Sequence, residues 1–230
     1  MSWFRRRRRR PAQPLPERRP EPPAGGAPAH LPNPREAAVA FWTGWSELLP
    51  TVSAALGDGE PHRVEGGIGA LVADLHPDLH FSLERGHRAI YALVVTGQED
   101  PRLRPWTDAW MAAAPTGDMI WEYHDSVPPV PDPTKVTINL GARRIALADV
   151  RVVARVAEGL VDVAVYHPEF AALDDDARRT MTFLPLDVTL GERLAGERLG
   201  RVETASTEPE GTIDLLELRD LVHAMIGDGG

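Results

Sequence analysis

The sequence predicts an α+β fold, a largely antiparallel sheet packed against several helices, behind a disordered N-terminal tail. Residues 1–33 are crowded with proline and arginine. From residue 34 onward, stretches with helical spacing of apolar residues and stretches of period-two alternation arrive in clusters. No regular strand–helix–strand alternation runs through them, which argues against a doubly wound parallel sheet.

The elements follow in order. Prolines at 11, 14, 16, 20, 22, 23, 28 and 32 remove backbone donors from the tail, and its few apolar residues cannot offset the entropy of ordering it. Residues 34–230 are expected to form a single acidic domain. Asn33 can cap a helix whose first turn holds Pro34 and Glu36. Val39, Trp42, Trp45, Leu48 and Leu49 form its stripe, Pro50 interrupts it and Gly57 ends it. A second helix spans 61–76 and is weakened by Gly66, Gly67 and Gly69. Residues 78–97 read as a hairpin: Leu79, Phe81 and Leu83 alternate with His80, Ser82 and Glu84, Arg85-Gly86 is the turn, and Ala89 to Val95 is the partner strand. A helix over 100–115 places Leu103, Trp106, Trp110 and Met111 on one side, and the tryptophan pairs 42/45 and 106/110 predict core packing. A third strand covers 118–126, a proline-rich loop 127–134, and three or four strands 135–170, with turns in "LGARRI" and "VAEGLV". Residues 174–200 read as an Asp-capped helix kinked at Pro185, then a short strand at "RVETAS". The last helix is capped by Thr212, presents Leu215, Leu218, Val222, Met225 and Ile226, and stops at Gly227.

"FWTGW" at 41–45, "AP" at 114–115, "IWEYH" at 120–124, "VYHPEF" at 165–170 and "FLPLDVTLGERL" at 183–194 appear in an order that resembles an uncharacterised family of bacterial proteins, a domain of unknown function. The resemblance spans most of 35–205. It implies a soluble α+β domain and no established activity.

Composition bounds the chemistry. The chain has no cysteine, which excludes disulfides, thiolate catalysis and cysteine-ligated zinc and suits a cytoplasmic location. No apolar run reaches the ~18 residues of a membrane span, and no apolar stretch of a secretory signal follows the arginines. The formal net charge is −9. Residues 1–34 hold eight arginines against two glutamates, a net +6, so the remainder carries −15. Only Lys135 is a lysine, a bias expected from a GC-rich genome.

Four side chains are candidates for acid–base work. Glu122 and His124 share one face of the third strand, opposite Trp121 and Tyr123; were that strand beside the first, His80 and Glu84 would join them in one polar patch. Asp187 and Glu192, five apart, point about 140° apart on a continuous helix and share a site only if Gly191 breaks it. Solvated faces and helix caps are the plainer expectation for all of them. His76 and His80 have zinc-site spacing but lack the following Glu, and His167 is placed at a strand end. No nucleophile elbow, phosphate loop or dinucleotide fingerprint is present, so neither a cofactor nor a metal is expected.

Arg5, Arg6, Arg7, Arg8, Arg9 and Arg10 form a polyanion-binding candidate for anionic lipid or nucleic acid, with Trp3 and Phe4 suited to a headgroup region. The leading functional expectation is a non-enzymatic protein-interaction module whose acidic sheet face binds a partner protein. A hydrolase or metal-dependent enzyme using Glu122 and His124 with Asp187 or Glu192 is the alternative, and a tail-driven membrane or nucleic-acid binder the third. An enzyme would show these groups converging in a concave pocket; a binding module would show an exposed patch.

Overall fold

A computed structural model describes residues 33–98, 100–141 and 143–227. The arginine run and the rest of the tail to Pro32 lie outside the described residues. The fold is α+β, with six α-helices and mostly antiparallel sheets among the described residues. None of these helices is long and apolar enough to cross a membrane.

The first half is built on α1 (Pro34–Gly57) and α2 (His62–Leu75). The Asn33 side chain accepts the Arg35 N–H at 3.0 Å, as its sequence position predicts. The helix runs on through Pro50 to Gly57. Ala38, Phe41, Trp42, Trp45, Val52 and Ala55 make the buried stripe, whereas Val39 is 62% exposed. One residue is a 100° rotation, enough to carry Val39 off that stripe. Glycines let the two helices approach: a Cβ on Gly44 would lie 2.5 Å from a Leu71 methyl, and one on Gly67 3.3 Å from a Leu48 methyl.

The sheet against these helices has the order β1 (His80–Arg85), β2 (Tyr91–Thr96), β3 (Trp121–His124). β1 and β2 are antiparallel, with Leu83 opposite Leu93. β3 runs parallel to β2, because α3 (Arg104–Ala112) crosses over between them. The tryptophans close the core as predicted. Trp42 stacks on Trp110 at 4.8 Å and donates its indole N–H to the Trp110 carbonyl at 2.7 Å; Trp45 donates to the Tyr123 hydroxyl at 3.3 Å.

The second half holds two more sheets. β4 (Thr137–Leu140) and β5 (Arg143–Ala146) form a hairpin that turns at Gly141. β6 (Arg151–Ala157) and β7 (Leu160–Tyr166) form another, whose turn residues Glu158 and Gly159 both have positive φ, 51° and 79°. β8 (Leu199–Thr204) adds in parallel to β7 after the helical crossover of α4 (Asp175–Leu190) and α5 (Glu192–Arg198). Among the described residues the strands thus divide into three sheets rather than one, and both parallel pairings follow helical crossovers.

Two helix ends differ from the sequence reading. α4 passes through Pro185 and breaks at Gly191, whose φ of +76° only glycine adopts readily. α6 (Leu215–Gly227) is capped by Asp214: its carboxylate accepts the Glu217 N–H at 2.9 Å, and the Glu217 carboxylate accepts the Asp214 N–H at 2.8 Å. This reciprocal box satisfies two end donors at once, which Thr212 is too far upstream to do. On α6, Leu215, Leu218 and Val222 are buried, while Ile226 is exposed.

Trp45 is fully buried and ringed by Phe41, Trp121 and Tyr123. Trp45→Ala is expected to cost about 3–5 kcal/mol in urea denaturation through lost transfer energy and a residual cavity. A cost under about 1 kcal/mol would mean that this aromatic cluster does not organise the first half.

Candidate functional site

Glu122 points from β3 to the sheet face away from the tryptophans, where the loop after β1 folds over it. Its carboxylate accepts the backbone N–H groups of His87, Arg88 and Ala89 at 2.7, 3.0 and 3.2 Å. Gly86 makes the fold-over possible, since a Cβ there would lie 2.5 Å from the Ala89 carbonyl oxygen and 3.2 Å from the Glu122 carboxyl carbon. Burial pushes the Glu122 carboxyl up, but the N–H donors and His124 together outweigh it and hold the group at about 2. The three N–H donors thus favour the anionic form of Glu122.

His124 lies 3.2 Å from the same carboxylate through Nε2. A carboxylate only accepts, so Nε2 carries the proton. The ring borders a cleft of about 340 Å³ formed also by Asp125, the 127–129 segment, Leu190, Arg193 and His223. An imidazole oriented by a buried carboxylate at a cleft wall can bind or relay a proton. Arg193 pairs with Asp125 at 2.9 Å and with Asp108, so its charge is already met by two carboxylates.

The four-residue polar patch does not form. His80 and Glu84 lie on the same sheet face as Glu122 and His124, but β2 separates the two strands by about 10 Å. On this sheet face the β1 residues His80 and Glu84 are exposed, and the centre is covered. The central Ala92, Val94 and Thr96 are buried, with the 86–89 loop over Glu122 at one end and Glu192 on Thr96 at the other.

Gly191 does break the helix between Asp187 and Glu192. The Glu192 carboxylate accepts the Thr96 hydroxyl and, at 3.1 Å, the Val127 N–H; the Glu192 N–H donates back to the Val127 carbonyl at 2.9 Å. Asp187 is half-buried on the last turn of α4 and does not border the cleft.

The histidine spacing resolves into turns. His76 follows α2, and its Nδ1 accepts the Asp78 N–H at 3.2 Å, while His80 already belongs to β1. His167 directly follows β7, at the strand end as predicted: Nδ1 accepts the Glu169 N–H at 3.1 Å and Nε2 faces the Ala146 carbonyl at 3.1 Å. Among the described residues no group of three or more His, Asp or Glu is placed to hold a metal ion. Arg219 was invisible as a sequence feature. From α6 it donates to the carbonyls of Val130, Pro131 and Thr189 at 2.6, 2.8 and 2.8 Å, tying the proline-rich segment to the end of α4; burial lowers its pKa. No spacing signal marks an arginine whose partners are backbone carbonyls far away in sequence.

The depressed Glu122 pKa makes a pH prediction. The group ionises at about 2 in the fold against an ordinary 4.5, so its stabilisation is present above pH 4.5 and lost as pH falls toward 2. That shift is worth roughly 3 kcal/mol. Glu122→Gln should be less stable by about 2–3 kcal/mol at pH 7, with the gap to the parent narrowing between pH 4.5 and pH 3 in urea titrations. A gap independent of pH would refute the role of the charge.

No protein-family model matches the chain, and neither a curated protein nor a solved structure matches it, which agrees with a resemblance that implies a fold and no activity.

Proposed function

We propose that this chain is a non-enzymatic protein-interaction module, acting in the cytoplasm, that binds a partner protein through an exposed apolar patch at Ile90, Met119 and Ile120. One observation carries the non-catalytic reading. Of Glu122, His124, Asp187 and Glu192, only His124 borders the cleft, while Glu122 and Glu192 are engaged with backbone N–H groups. Acid–base catalysis by these four candidates needs at least two of them to meet at one place.

The patch is preferred to the sheet face because the centre of that face, Ala92, Val94 and Thr96, is buried. Ile90, Met119 and Ile120 are 56%, 83% and 47% exposed. Their backbones are locked side by side, with Ile90 N–H donating to Met119 O at 3.1 Å and Tyr91 N–H to Ile120 O at 2.9 Å. Exposed His87 and Arg88 lie on the neighbouring loop. An apolar centre with a polar rim on a rigid sheet end suits partner docking. The −15 of the chain beyond residue 34 favours a partner with a basic surface. The Arg5–Arg10 run supplies a separate contact to anionic lipid or nucleic acid.

Both contacts can be checked. A partner retained from host extract by the parent protein should be lost by the triple variant Ile90→Ser, Met119→Ser, Ile120→Ser, with the melting temperature kept within a few degrees; the same partner retained by the folded variant overturns the patch. A peptide of residues 1–33 should bind anionic vesicles or nucleic acid, lose that binding steeply as salt rises, and lose it entirely when Arg5 through Arg10 become Ser. Absence of binding to both near physiological salt removes the tail from the proposal.

A further inference from the structure

Within one compact unit the buried apolar residues fall into two clusters. One buried cluster draws its residues from Ala37 to Tyr123, the other from Ile145 to Val222, and they share none. The helices and strands that pack extensively do so within their own half. The chain passes from one cluster to the other once, after β3.

What joins the halves is polar and sits on α5. The Glu192 carboxylate takes the Thr96 hydroxyl at the end of β2. The Arg193 guanidinium pairs with Asp108 on α3 and with Asp125. Glu197 pairs with Arg104 on α3 at 2.7 Å. The other side of α5, with buried Ala195, belongs to the second cluster. Asp108 and Glu197 are about half exposed, so water and salt screen both ion pairs. The two apolar clusters, the larger source of cohesion, lie on either side of this joint.

The proline-rich segment belongs mechanically to the second half. Val127 exchanges two hydrogen bonds with Glu192, and Val130 N–H donates to Val188 O at 2.8 Å. His124, the last residue of β3, belongs to the first half. Asp125 and Ser126 are left between the two anchored points. The cleft of about 340 Å³ opens at this junction, with His124 on one wall and Leu190, Leu194 and His223 on the other.

We infer that α5 is a polar latch between two halves with separate apolar clusters, and that its release swings them apart about Asp125–Ser126 and widens the cleft. Hinges are a few residues at element ends that absorb the backbone change, and ligand clefts sit preferentially at such junctions. The latch operates whether or not the apolar patch binds a partner, since the two lie on different parts of the molecule.

Because the chain has no cysteine, two can be introduced as the sole labelling sites. Glu47→Cys on α1 and Arg179→Cys on α4 are both exposed positions, one in each half. Spin labels on the full chain should give one narrow distance distribution at about 0.1 M salt. A second population at longer distance should appear at about 1 M salt, where the screening length falls to ~3 Å, and in the double variant Arg193→Ala, Glu197→Ala. Glu192 is left in place to keep the proline-rich segment anchored. A narrow distribution unchanged in a variant with parent-like circular dichroism overturns the latch. Should that variant fail to fold, the salt series on the unaltered latch decides, and a distribution insensitive to salt overturns it.

Discussion

Gly191 sets the geometry on which the centre of the molecule depends. Its φ is +76°, and a Cβ would lie 2.8 Å from the Pro129 ring and 3.1 Å from the Val127 carbonyl oxygen. Both the backbone angle and the space exclude a side chain. With glycine there, α4 stops at Leu190 and α5 starts at Glu192 in a new direction. The turn places the Glu192 carboxylate on Val127 and Thr96 and aims Arg193 and Glu197 at the first half. Without that break, a continuous helix would carry the charged residues of α5 away from α3.

The acidic composition takes a specific form in the fold. Many carboxylates hold the backbone in place rather than standing free in solvent. Asp174 caps α4 through the Ala177 N–H, Asp214 and Glu217 box the start of α6, Asp118 takes the N–H groups of Ile120 and Trp121, and Glu122 takes three from one loop. Each satisfies a donor that the local chain leaves unpaired. An ionised acceptor does this more strongly than a neutral one. The same use engages two of the carboxylates with catalytic-looking spacing, Glu122 and Glu192, which accept backbone N–H groups. The chain beyond residue 34 carries −15, so loss of these acceptors in acid and relief of self-repulsion oppose each other, and the hydrogen-bonded groups decide local order.

Much of the element order was legible. The Asn33–Pro34–Glu36 signal, the stripe around Trp42 and Trp45, the alternation from Leu79 to Leu83 and the Glu158-Gly159 turn rest on neighbours a few residues apart, so the sequence displays them directly. Sheet partition was not legible. Whether β3 joins β2 or β1 depends on how α3 packs, a relation among residues 20 to 80 apart, and its outcome separated His80 and Glu84 from Glu122 and His124. Pro185 was read as the kink because proline disrupts helices in general, yet the Gly191 contact with Pro129 and Val127 sets the break. Arg219 gave no signal, since its acceptors are carbonyls, which every residue has.

The sequence by itself determined the α+β class, the helical and strand segments, the aromatic core of the first half, the absence of thiol chemistry and the charge contrast between residues 1–34 and the rest. These follow from periodicity, residue type and local backbone preference, which do not require knowledge of distant neighbours. The tertiary structure alone decided the three sheets, the burial of Glu122 beneath its loop, the commitment of Glu192 to the joint, and the exposure of Ile90, Met119 and Ile120 together. Each is a meeting of segments far apart in the chain. Such meetings are settled by the competition of packing and hydrogen-bond satisfaction over the whole fold, which no local pattern records.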